Sequence, residues 1–150
     1  MTATTPLNPE ELAAWRGFLR VHSSLTKQLD AELLAGHGLS LSAYEVLLHL
    51  AESPGGCARM SDIAASVLLS RSGLTRLVDR LERSGYVRRE GVEGDARGSN
   101  AVITAAGRRA FTAARKTHLA GVRERFLESL SGPDRRTLAR LWERILPGAV

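Results

Sequence analysis

A chain of 150 residues with 43% hydrophobic and 25% charged side chains has the composition of a globular protein, which excludes collagen-like, low-complexity and natively unfolded chains. At this length folding buries about 68–70% of the unfolded surface, enough for a core in one domain or a small domain with extensions. The charge balance is 21 basic against 16 acidic residues, net +5, and nearly all the bases are Arg, whose planar fork suits phosphates and guanine edges better than Lys does.

In chain order the sequence reads as helices with one interruption. Asn8 as cap, Pro9 at the first position, Glu11 closing a box and Leu7 stapling to Leu12 predict a helix start. The helix is expected over about Pro9 to Leu34, with Leu12, Trp15, Leu19, His22, Leu25, Leu29 and Leu33 as one stripe and Gly36 and Gly38 ending it. A second, short helix is expected with Ser42 as cap and Glu45 reaching back, ending near Glu52 before the turn Pro54-Gly55-Gly56. Ser61 is the expected cap of a third, carrying Ile63, Ala64, Val67 and Leu68, and Ser70 of a fourth, stopped by Gly85.

The period then changes to that of strands. Tyr86 to Glu90 and Asn100 to Ile103 read as a hairpin, joined by a long glycine-rich tip from Gly91 to Ser99. Thr104 is the expected cap of a helix continuing to about Leu130, roughly 39 Å long at 1.5 Å per residue. Ser131, with Pro133 and Asp134 in the first turn, starts a last helix carrying Leu138, Leu141, Trp142 and Ile145.

Function concentrates on the helix after Ser70. At 100° per residue Leu74, Leu77, Val78 and Leu81 fall on one face, while Ser72, Arg76, Asp79 and Arg83 lie opposite, flanked by Thr75 and Arg80. Two short capped helices across a tight turn have the layout of a helix-turn-helix, whose second member enters the major groove of DNA. Ser72, Thr75 and Arg76 are then the first candidates for contact, since hydroxyls reach phosphates and an Arg can bond guanine O6 and N7 together. The same residues also fit a solvated face bridged by pairs of Asp79 with Arg76 or Arg83. The hairpin favours the first reading. Arg97 sits on its tip, where it can enter a narrow minor groove, and Asp95 can orient it by an ion pair. Charge supports this too, because 71–125 holds 13 bases and 6 acids, and the rest 8 and 10.

These residues carry a family resemblance. The run from Ser70-Arg71-Ser72-Gly73-Leu74-Thr75-Arg76 through Arg80 to Arg88-Arg89, then Asp95-Ala96-Arg97, then Ile103-Thr104-Ala105-Ala106-Gly107, resembles the MarR-type (multiple antibiotic resistance regulator) transcription factors. Ala96 departs from the pattern, since many members have a second Arg there, which weakens the expected phosphate grip without moving Arg97. The resemblance implies a mainly α fold with a small β-hairpin: a winged helix-turn-helix lobe over 40–104, an N-terminal dimerisation helix over 1–39, and C-terminal dimerisation helices over 105–150. It also implies a bacterial homodimer, repressor or activator, binding double-stranded DNA at a pseudo-palindromic operator and tuned by a small phenolic or anionic effector. The implied DNA contacts are Ser70, Arg71, Ser72, Thr75, Arg76 and Arg80 on the helix, and Arg97, oriented by Asp95, on the wing. Dimerisation has a physical argument as well: the stripes with Phe111, Leu119, Val122, Phe126, Leu138 and Trp142 exceed what a lobe of about sixty-five residues can cover.

Trp15, His22 and His118 are candidates for an effector pocket, with packed or interfacial histidines as the other reading. Four His without ligand spacing and the single Cys57 argue against a metal site, and no cofactor is expected. Cys57, in a loop, reads as an incidental thiol. No phosphate-binding Gly loop, no GxSxG elbow and no suitably placed carboxylate pair point to an enzyme. Without a run of 18 apolar residues or a secretion signal at Met1 to Asn8, a cytoplasmic protein with no membrane partner is expected. Two other functions stay open: a nonspecific architectural DNA binder, and an interaction module docking through its long helices.

Overall fold

The computed structural model describes residues 5–150. Asn8 and Glu11 bond each other's backbone N–H groups at 2.9 Å and start α1 (Pro9–His37) as their spacing predicts. The helix runs past Gly36 and stops at Gly38, which takes a positive φ of 64°. In α2 (Leu41–Glu52) the cap is Ser40, two residues before the expected Ser42: its hydroxyl accepts from Ala43 N–H, and the Leu41 N–H donates to Asp30 Oδ1 at 2.7 Å. A carboxylate from α1 thus satisfies one of the N–H groups that a helix start leaves without an intrahelical partner.

After the 3-10 turn Pro54–Gly56 comes β1 (Cys57–Arg59), which periodicity did not predict. Its three residues pair with the distant segment Asn100–Val102, so nothing local marks them as a strand. Cys57 accordingly lies in the sheet and not in a loop. The cap of α3 (Met60–Ser66) is Arg59, not Ser61, and Leu68 lies beyond the helix instead of on it. Then follow α4 (Arg71–Arg83), β2 (Val87–Val92) and β3 (Asp95–Ile103). The expected long tip is a tight turn at Glu93-Gly94, because both strands continue through the polar residues and pair from Val87↔Ile103 to Val92↔Asp95 with one irregularity at Gly91/Val92. The antiparallel sheet has the order β1-β3-β2. Helix α5 (Ala105–Arg125) ends before the expected Leu130 and is followed by the 3-10 turn Leu127–Ser129, and α6 (Gly132–Ile145) starts after the expected Ser131, which forms a capping box with Asp134.

Two compact units result, one formed by Asp30–Ala120 and the other by Met1–Leu29 with Gly121–Val150. The core of the central unit packs Leu33, Val46, Leu47, Leu50, Ile63 and Phe111 against Leu74, Leu77, Val78 and Leu81 of α4 and Val87, Ala101 and Ile103 of the sheet. Burying such side chains contributes about 1.5–3 kcal/mol each, which fixes α4 by its apolar face and leaves its polar face outward. In the terminal unit Phe18 packs on Trp142 with ring centroids 5.7 Å apart, Arg125 donates to Gln28 Oε1 at 2.7 Å, and α6 has no fully buried residue. No helix among the described residues is long and apolar enough to cross a membrane.

Candidate nucleic-acid interface

Helix α4 is started by the Ser70 hydroxyl, which accepts from Gly73 N–H at 3.1 Å, and ended at Gly85, whose φ of 77° suits glycine. Between these stops Leu74, Leu77, Val78 and Leu81 are buried, and Arg71, Ser72, Thr75, Arg76 and Arg80 are exposed on the other side. The Thr75 hydroxyl donates to Arg71 C=O at 2.9 Å, so it meets a partner mainly as an acceptor.

Asp79 has a different partner from the two expected. It pairs at 2.7 Å with Arg89 of β2, not with Arg76 or Arg83. The same guanidinium donates to Thr75 C=O at 3.1 Å, and Arg89 N–H donates to Glu82 Oε2 at 3.1 Å, so one strand residue holds α4 at three points. Sequence reasoning missed this role because the contacts span many residues and follow no helical or strand spacing. With Asp79 engaged by Arg89, Arg76 and Arg80 carry no ion pair among the described residues.

On the hairpin Asp95 and Arg97 are both exposed, and the contact between them is not the expected ion pair: Asp95 Oδ1 accepts the backbone N–H of Arg97 at 3.0 Å. This shapes the strand and leaves the guanidinium without an ion pair among the described residues. Arg88 pairs with Glu90 along β2. The base of the hairpin is clamped by Thr104, which donates its hydroxyl to Gly85 C=O at 2.6 Å and its N–H to Tyr86 C=O at 3.0 Å while its Oγ1 caps Gly107. A Cβ at Gly107 would collide with the Tyr86 carbonyl, so this approach needs glycine. The Thr-x-x-Gly spacing is therefore the joint between wing and α5.

Between α4, β1 and the hairpin lies a cleft of about 670 Å³ whose lining includes Arg59, Arg71, Arg89 and Arg97, with Asp95 as the one acid. Arg59 and Arg89 were not among the sequence candidates. The side chain of Arg89 is partly withdrawn, and its Nε is buried without a hydrogen-bond partner. Arg89 is neutralised by Asp79, but Arg59, Arg71 and Arg97 against Asp95 still make this an anion-attracting concavity.

The three effector candidates fall into two groups. Trp15 and His22 are exposed in the terminal unit, each 6.2 Å from the Phe18 ring. His118 is half-buried in the central unit, 4.5 Å from the Tyr44 ring, which also stacks on Phe111 at 5.6 Å. Burial holds the His118 pKa below its ordinary value, with Glu32 opposing the shift, and its Nδ1 has no partner. Burial also raises the Tyr44 and Glu45 values. Nearby, His37 Nε2 and Thr117 Oγ1 are bonded at 2.7 Å. No group of three or more His, Cys, Asp or Glu among the described residues could hold a metal.

Comparison with known proteins places this geometry. The MarR family profile matches residues 37–98, the stretch that builds α2 to the hairpin. The structure of AbsC, a MarR family transcriptional regulator from Streptomyces coelicolor, is 37% identical with a TM-score of 0.88, covering 95% of each chain. Sco3205 from the same organism, a MarR family transcriptional regulator solved in complex with DNA, is 30% identical with a TM-score of 0.89 over 99% of this chain and 95% of that one. Among curated proteins, the HTH-type transcriptional regulator PrsX of Escherichia coli is 32% identical over 77 residues, 51% of this chain and 46% of PrsX. The chain thus spans about half the length of the curated relatives it matches.

Proposed function

The chain belongs to the MarR family of transcriptional regulators, and from that premise we propose that it is a homodimeric repressor that binds double-stranded DNA sequence-specifically at a pseudo-palindromic operator. The arginine-lined cleft between α4 and the hairpin is the observation that carries this reading. If α4 lies in the major groove and the wing in the adjoining minor groove, the sugar-phosphate strand dividing the grooves must pass between them. Arg59, Arg71 and Arg97 surround that path with the charge a phosphodiester requires.

Base reading falls to the exposed side of α4. Arg76 is free of ion pairs and placed to bond guanine, Ser70, Ser72 and Thr75 supply hydroxyls, and Arg71 and Arg80 meet phosphates. Arg97 enters the minor groove from a strand shaped by Asp95. A second copy, held through the apolar residues the terminal unit exposes, presents the other recognition helix about 34 Å away, one helical turn of DNA. Bound across a promoter, such a dimer blocks polymerase. A small phenolic or anionic effector acts by favouring a different spacing of the two helices, which penalises the fit to both half-sites.

Competition binding tests the reading. The chain is expected to prefer its own promoter over random DNA by roughly 10³-fold or more, and binding that depends on salt but not on sequence would overturn operator recognition. Replacing Arg76 by Ala is expected to cost about 1–3 kcal/mol and relax base choice at one position per half-site; Arg97→Ala is expected to weaken binding most where the minor groove is narrow and reduce the salt slope by about 1.

A further inference from the structure

Helix α3 ends in a way that glycine usually serves. Val67 N–H donates to Ile63 C=O at 2.9 Å and Leu69 N–H to Ala64 C=O at 3.1 Å, the bonding of a C-terminal cap whose intervening residue takes the left-handed conformation. That residue is Leu68, at φ 55°. Every other described residue with a positive φ is a glycine, so Leu68 alone holds a side chain in this backbone region.

The side chain gains nothing from the core in return. Leu68 is 91% exposed, while its neighbours Val67 and Leu69 both pack against the core. An isolated exposed leucine needs no explanation, but one that also occupies an unfavourable backbone conformation does. Its place supplies the explanation: it stands two residues before Ser70, the cap that starts α4, in the turn that leads into the exposed N-terminal residues Arg71 and Ser72.

Resting on the DNA-binding reading above, we propose that Leu68 is a specificity-determining residue that packs on the methyl group of a thymine at the edge of each half-site. The thymine methyl is the one apolar group a base pair presents in the major groove, and covering it removes apolar surface of both partners from water. Apart from the Thr75 methyl, the exposed side of α4 offers hydroxyl and guanidinium groups, which gain nothing from a methyl, so Leu68 adds an apolar contact at the edge of the half-site.

The test is a protein–DNA mutant cycle on the full-length chain. Thymines of the operator are replaced singly by deoxyuridine, which deletes only the methyl, and both wild type and Leu68→Gly are titrated. Wild type is expected to lose about fourfold at one thymine per half-site, the worth of one buried methyl, and Leu68→Gly to lose nothing further at that position. Because no charge is removed, the salt slope of the variant stays that of wild type. Glycine suits the cap, so the variant's Tm is not expected to fall. Wild-type affinity in Leu68→Gly, or equal losses from deoxyuridine in both proteins, overturns the proposal. A wild type that selects no operator overturns the DNA-binding reading itself, and this inference with it.

Discussion

The central unit hides Leu33, Leu47, Leu50, Ile63 and Val78 completely, whereas the terminal unit leaves Trp15 53%, Phe18 45% and Ile145 72% exposed. Both draw on long amphipathic helices, yet only the first encloses its apolar residues within one chain. A helix-turn-helix backed by a sheet closes three sides of a core, so α4 is held by side chains in a single arrangement and its outward face is fixed. The terminal unit pairs helical segments without a second layer. Aromatic rings that are half covered in one chain are what a two-fold interface completes. The central unit is thus built to hold a reading surface, and the terminal one, on the proposed function, to set the distance between two of them.

Core truncation attacks the difference most directly. Leu47→Ala in the central unit is expected to cost about 2–5 kcal/mol of stability, against less than about 0.5 kcal/mol for Ile145→Ala at its exposed site, measured by urea unfolding of dilute protein. Similar losses at the two sites would show that the terminal unit has a core of its own. The next effect concerns association. On the proposed function, Phe18→Asp is expected to weaken the dimer by about 2–4 kcal/mol in sedimentation equilibrium, while helical circular dichroism is retained; an unchanged dimer would remove the Trp15–Phe18–Trp142 cluster from the interface.

The smallest effect is a titration inside the central unit. His118 has a native pKa lowered by burial, so the unfolded chain takes up a proton first as pH falls below about 6.5, and stability declines until the native value is passed. His118→Gln is expected to flatten that decline below about pH 6.5, read as Tm against pH. Glu45 shifts the opposite way, its raised value adding stability toward lower pH, and it is common to both proteins. A decline of equal steepness in the variant would place the titrating group elsewhere.

Much of the fold was legible because its signals are local. The Asn8–Glu11 and Ser131–Asp134 boxes, the Ser70 cap and the apolar face of α4 each lie within one helical turn or one stripe, and each stands where its spacing put it. What could not be read is what depends on partners far away in sequence. Asp30 moves the α2 cap to Ser40, β1 exists only through its pairing with β3, and Arg89 reaches Asp79 and Thr75 from another element. Leu68 counted as one more apolar residue of a helix, because composition does not reveal a change in backbone handedness. The candidate DNA-contacting residues of α4 were legible as an exposed face; the arginines that complete the cleft were not.

Arg89 ties α4 to β2, and Thr104 ties the hairpin base to the start of α5. Neither element can therefore re-angle by itself, and on the proposed function the lobe meets a duplex the way a single-piece key meets a lock. Descendants that acquire a new operator are expected to change the teeth, by exchanging side chains such as Arg76, and to keep the shank.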